Sequence, residues 1–194
     1  AWFAYIVGLA RGRSQPIAIY PVATGWSTPA WLRDAIRFDS IEAMVNYYQM
    51  ECIEWTTKEE RRSAKAALLE LGISWHAESL AQCVRDGDTK AVELFIRSGF
   101  PPDVRDKSGV PMLCLAARFR HHSIVELLLE RGADINAQSD DRGYSALLDA
   151  AQQGDDTLLH FLLDRGADPD AHSKDGQTAL ILAVGRTDVP MVAM

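Results

Sequence analysis

The residues most able to do chemistry are His121 and His122, adjacent to each other, with Glu126 one helical turn after His122. An imidazole near a carboxylate is a common pairing for proton transfer. His160 lies four residues after Asp156 and four before Asp164, so one helix face would carry an imidazole between two carboxylates. One histidine with solvated carboxylates is a weak metal site, because structural and catalytic zinc draw on several nitrogen or sulfur ligands. The three cysteines, Cys52, Cys83 and Cys114, show no CxxC spacing, and an odd number cannot all pair within the chain. No GxSxG, HExxH, GxGxxG or P-loop string occurs. The expectation is therefore no catalysis, no metal and no cofactor. Reduced thiols favour a cytosolic or cytoplasm-facing compartment.

What positions these residues is a repeat. VELLLERGADIN at 125–136 is echoed by LLHFLLDRGADPD at 158–170 and AVELFIRSGFPPD at 91–103. A glycine recurs at Gly99, Gly132 and Gly166, and a leucine at Leu80, Leu113, Leu147 and Leu180, in steps of 33 or 34 residues. Such a period at independent anchors marks a stacked array rather than one closed core. Each unit holds two helical patterns. The second is defined by Ala91, Val92, Phe95 and Ile96, by Ile124, Val125, Leu128 and Leu129, and by Leu158, Leu159, Leu162 and Leu163. This i, i+1, i+4, i+5 spacing gathers apolar side chains on one face. The glycine after it suits a left-handed helix end. About ten polar residues later, DKSG, SDDRG and SKDG read as hairpin tips around Gly109, Gly143 and Gly176. Cys83 and Cys114 fall at inward positions, where a small hydrophobe fits.

The front third reads differently. Residues 1–10, AWFAYIVGLA, are apolar and precede Arg11 and Arg13. Ten helical residues reach about 15 Å, half of a bilayer core. The stretch is compatible with the last half of a membrane helix, with the basic residues on the cytoplasmic side, and equally with a buried helix or strand of a soluble domain. Pro16, Pro21 and Pro29 exclude one continuous helix through the following uncharged stretch. It reads as an extended connection anchored by Trp26 and Trp31.

Three short helices are predicted next. Thr28 and Pro29 open the first, carrying Trp31, Leu32, Ala35 and Ile36. Asp39 or Ser40 starts the second, with Ile41, Met44, Val45, Tyr48 and Cys52 on one face. A capping box of Thr57 and Glu60 opens the third, with Ala64, Ala67, Leu68 and Leu71 as its stripe and Gly72 at its end. The division is thus 1–33, an apolar segment and linker, 34–73, a helical cap on the solenoid's open end, and 74–194, repeats. The chain begins with alanine, and the counterparts of Leu162 and Leu163 in the last unit would follow Met194. A chain continuing beyond both ends is expected.

At ERGADINAQ, DRGADPDAH, the doublets Ala116-Ala117 and Ala150-Ala151, and DGQTALILA at 175–183, the sequence resembles the ankyrin-repeat family. The resemblance covers roughly 74–194 and extends to the way such arrays begin in many bacterial proteins. It implies an all-α ankyrin solenoid preceded by a small helical region. His121 stands where the second helix of a unit starts, a place where this family often has histidine. The family's Thr-Pro-Leu-His segment survives as VPMLC, YSALL and QTALI, without the histidine, so Cys114, Leu148 and Ile181 are expected to replace its hydrogen bonds with apolar packing. Arg120 and Thr187 occupy positions held by glycine at Gly87 and Gly154. A left-handed backbone there would cost about 1 kcal/mol.

The resemblance also implies a scaffold that binds another protein on a concave face of tips and first helices. The family's contact positions carry over to Lys107, Ser108, Val110, Arg118 and Phe119 in one unit, to Asp141, Arg142, Tyr144, Gln152 and Gln153 in the next, and to Lys174, Asp175, Gln177 and Arg186 in the last. Aromatic and arginine residues dominate hot spots, which singles out Phe119, Tyr144, Arg118 and Arg186. The extra residue behind the 34-residue step lies near 138–142 and reads as a longer tip able to reach a partner or, rather more, as neutral loop variation. Residues 73–194 hold twelve basic and nineteen acidic side chains, against eight of each before them. That excess repels phosphate backbones, so nucleic acid is not an expected partner. The alternative function is a structural subunit of a membrane-associated complex docked through the apolar front segment, with membrane contact through residues 1–13.

Overall fold

The computed structural model describes residues 18–19, 36–37 and 41–185. The chain divides into two compact units, Ala1–Lys58 and Glu59–Met194. In the first unit, β1 (Ala18–Ile19) pairs in parallel with β2 (Ile36–Arg37), Ala18 opposite Ile36. Ile36 is therefore strand, not the end of a helical stripe. The rest of that predicted helix, and the apolar segment 1–13, lie outside the described residues.

The second and third predicted helices are one. Helix α1 (Ile41–Glu70) runs through Thr57 without a break. No glycine or proline interrupts this stretch, and Thr57 Oγ1 donates to the Ile53 carbonyl at 2.8 Å instead of capping a new helix. Val45 and Cys52, expected on a buried face, are exposed. The end of α1 does bury Ala64 and Leu68, while Leu71 is exposed. Gly72 then takes a left-handed φ of 73° and ends the helix as its sequence suggests.

The second unit is a stack of helix pairs: α2 (Ala77–Asp86) with α3 (Thr89–Arg97), α4 (Met112–Arg118) with α5 (His122–Glu130), α6 (Ala146–Gln153) with α7 (Asp156–Asp164), then α8 (Ala179–Gly185). First helices pack on first helices, α4 on α2 and on α6, and α6 on α8. One continuous core results, running from Leu68 through Phe95, Leu113, Leu128, Leu148 and Leu162 to Ala183. At its start Trp75 donates to Ser98 at 2.7 Å and meets Phe100 edge-on at 4.8 Å, with the Lys65 ammonium over its other face.

Helix ends follow local chemistry. Asp88, Ser145 and Asp155 cap α3, α6 and α7 through side-chain oxygens that accept backbone N–H groups. Arg120 is the one non-glycine residue at positive φ among those described, at 59°. Gly87 at the same place in the preceding unit has a second constraint, since a Cβ there would sit 2.7 Å from the His121 ring. Thr187 lies outside the described residues.

Between units the chain forms hairpin tips. Each closes on a buried polar residue, Asp106, Ser139 or Ser173, whose N–H donates across the hairpin to Val110, Tyr144 or Gln177 at 2.9 Å. Neighbouring tips are laced by Asp140 N–H to Gly109 O and Lys174 N–H to Arg142 O, both 3.0 Å. Side chains add a parallel ladder, Arg105 to Gln138 O at 2.8 Å and Gln138 to His172 O at 3.1 Å. The polar stretches that read as hairpin tips thus form a hydrogen-bonded edge.

Candidate partner-binding face

The face is built from the first helices and the tips. From Val110 through Ala117 every residue is buried, which fixes α4 so that only its C-terminal end reaches solvent. There Phe119 is 46% exposed, its ring stacked on His121 at 6.4 Å. Lys107 and Ser108 are exposed on the preceding tip, as are Lys174 and Asp175 on the last. Gln152, Gln153 and Gln177 are half-buried, and Arg186 lies outside the described residues.

Two expected contact residues turn inward. Val110 is 2% and Tyr144 5% exposed, because both follow the tip glycine on the strand that returns to the core. The Tyr144 hydroxyl is taken by Gln177 Oε1 at 2.9 Å, so Tyr144 joins two units and presents no free aromatic surface.

The arginines on this face are held in an ion-pair cluster around Asp149, which sequence reading did not single out. Its carboxylate is fully buried. Arg118 Nε meets it at 3.0 Å and an Arg142 amine at 3.5 Å. Arg118 also reaches Asp141 at 3.2 Å, and the Arg142 guanidinium lies 4.4 Å over the Tyr144 ring. Burial pushes the Asp149 carboxyl up to about 6, against the pull of Arg118 and Arg142. Partial burial acts the same way on Asp141, but hydrogen bonds from the Ser139 hydroxyl and the Arg142 amide, with Arg118 beside it, bring that carboxyl down to about 2. The signal for Asp149 was present in the sequence. Its counterparts in the adjacent units are Leu115 and Leu182, both buried, and a charge in a leucine position must have a partner.

The extra residue also finds a place. Gly109 and Gly176 N–H groups donate to the residue three before, Asp106 and Ser173, whereas Gly143 donates to Ser139, four before. The insertion therefore widens one tip, and Asp141 stands on that widened tip.

The chemically tempting residues have structural partners. His121 Nε2 lies 3.0 Å from the Arg85 carbonyl, and His122 Nε2 lies 2.7 Å from Asp155 rather than beside Glu126. No group of three or more histidine, cysteine, aspartate or glutamate side chains able to hold a metal occurs among the described residues. Cys83 and Cys114 are buried and unpaired, and Cys52 is exposed. Cys114 does more than the expected apolar packing: Sγ donates toward Ala137 O at 3.3 Å and Tyr144 O at 3.4 Å, and burial pushes its thiol well up. Leu148 is buried as expected, but Ile181 is exposed. Among the described residues no helix is long and apolar enough to cross a membrane.

Paired helices joined by hydrogen-bonded hairpin tips and stacked every 33 or 34 residues define an ankyrin solenoid. Residues 80–173 match the family model described as ankyrin repeats, three copies, and this part of the chain belongs to that family. An ankyrin repeat-containing protein of Treponema pallidum (strain Nichols) is 35% identical over 192 residues, covering 99% of this chain and 64% of the relative. The chain thus spans less than two thirds of that relative's length. An ankyrin repeat protein of fowlpox virus (strain NVSL) is 32% identical over 71 residues, 37% of this chain and 10% of the viral protein. Ankyrin repeats generally mediate protein–protein interaction, and the family is typically a non-enzymatic scaffold.

Proposed function

We propose that this protein is an interaction scaffold that holds a partner protein on the face formed by its tips and first helices. The observation that carries the reading is Phe119, an exposed aromatic ring at the end of a wholly buried run. Large aromatic side chains are overrepresented at hot spots, and a face laced by tip-to-tip hydrogen bonds loses little entropy on binding. Lys107, Ser108, Lys174 and Asp175 are exposed on the tips, with Gln152, Gln153 and Gln177 partly accessible. Val110 and Tyr144 support the face from beneath. Three unpaired thiols favour placement on the cytoplasmic side.

The test compares what co-purifies with the tagged full-length protein, with a Phe119→Ala, Lys107→Ala variant, and with a Glu126→Ala, Glu130→Ala variant on a second helix. A partner lost only in the first variant is the expected result. Companions that survive both variants, yet vanish when residues 1–33 are deleted, would move the function to the front segment and favour a structural subunit.

A further inference from the structure

The Arg118 and Arg142 guanidiniums invite a comparison with the preceding unit. There Arg85 occupies the place of Arg118, and its turn partner is Asp106 at 2.9 Å, a carboxylate whose side chain is 4% exposed. The Asp106 carboxylate is sealed into the base of the turn, while Arg85 also reaches the more exposed Glu78 at 3.3 Å. In the next unit the base residue is Ser139, which cannot neutralise a guanidinium. The balancing carboxylate comes instead from Asp141 on the widened tip, 3.2 Å from Arg118 with its side chain 32% exposed.

The cluster contains two guanidiniums and two carboxylates, Arg118 and Arg142 against Asp149 and Asp141. Asp149 is fully buried and anchors both arginines from below. The Tyr144 ring supports Arg142 from one side. Of the two carboxylates Asp141 is the more exposed, held by Arg118, the Ser139 hydroxyl and the Arg142 amide. It hangs on a surface loop, and its departure would strip one negative charge from a preorganised pair of forked donors. A second carboxylate arriving at the same place would restore neutrality and meet guanidiniums already held in position.

We propose that Arg118 and Arg142 form a binding site for an acidic side chain of the partner protein, and that Asp141 is a resident carboxylate which the partner displaces. This rests on the interaction-scaffold reading and names the partner chemistry at one point of that face. Asp149 acts as the positioning residue.

The experiment uses the full chain and a labelled hexaglutamate peptide at low ionic strength, with hexaglutamine as control. Asp141→Asn keeps the loop's shape while removing the competing charge, and should bind hexaglutamate up to about fivefold more tightly than wild type, the upper end for a partly exposed ion pair. Arg142→Ala in the Asp141→Asn background should remove that gain. Both positions lie on the tip, and unchanged circular dichroism and melting temperature verify the fold. The proposal is overturned if Asp141→Asn binds hexaglutamate no better than wild type, if hexaglutamine binds equally well, or if no variant binds. Should that happen while the Phe119-dependent partner is still captured, the anion site falls and the scaffold reading stands.

Discussion

Asp149 illustrates how one residue can set the properties of a whole unit. A buried carboxylate between two guanidiniums is costly to desolvate, and removing one arginine leaves a charge with too little compensation. Arg118→Ala should therefore lower stability by about 1–3 kcal/mol near neutral pH, because Asp149 can take up a proton instead of staying charged and poorly paired, read from urea midpoints. The loss should shrink below pH 6, where Asp149 takes a proton. The sign follows from its raised value of about 6: the native state holds a proton that the unfolded chain releases near 3.9. The stability that Asp149 confers when protonated is present below about pH 4 and fades as pH rises through 6. Asp149→Leu restores the residue type of Leu115 and Leu182. Stability at neutral pH should fall less than in Arg118→Ala, since the guanidinium left behind is partly exposed and keeps Asp141, and this part of the pH dependence should flatten. Wild-type pH dependence in the Leu variant would assign the titration elsewhere.

Among the elements, α1 separates local from continuous reasoning most sharply. A capping box at Thr57 would put Lys58 at the first position of a helix, where proline is well tolerated. In an unbroken helix the same position is interior, and proline costs about 3 kcal/mol or more by clash and a lost hydrogen bond. Lys58→Pro should thus reduce ellipticity at 222 nm measurably. An unchanged spectrum would restore the two-helix arrangement. Sequence reading went wrong there because Thr-x-x-Glu is also an ordinary exposed turn of a long helix. Nothing local says whether threonine caps forward or bonds back to the carbonyl four residues earlier. By contrast, α3, α5 and α7 were legible residue by residue, since their apolar spacing and the glycines after them admit little else.

For the repeat unit as a whole, stability is a sum of units and the interfaces between them. Inner units are covered on both sides, whereas Leu180, Ile181 and Val184 of α8 are exposed. In residues 1–194 alone, native-state hydrogen exchange should accordingly show the greatest protection in α4 and α6 and markedly faster exchange in α8. Uniform protection from α2 to α8 would contradict that order. Leu113 in α4 and Leu148 in α6, both buried, lie within the protected block.

Sequence alone determined the period, the helix pairs, the left-handed glycines at their ends and the unusual place of Arg120. All of these depend on spacing along the chain or on one residue's allowed backbone. Tertiary structure decided which polar side chains face each other. Tyr144 has the type of a binding aromatic but closes on Gln177, Asp149 holds a leucine position yet meets Arg118, and the tip with the extra residue brings Asp141 to Arg118. Those pairings join residues 20 to 35 positions apart, or lie inside a buried helix. Periodicity says which face a residue takes, and only packing says what it meets there.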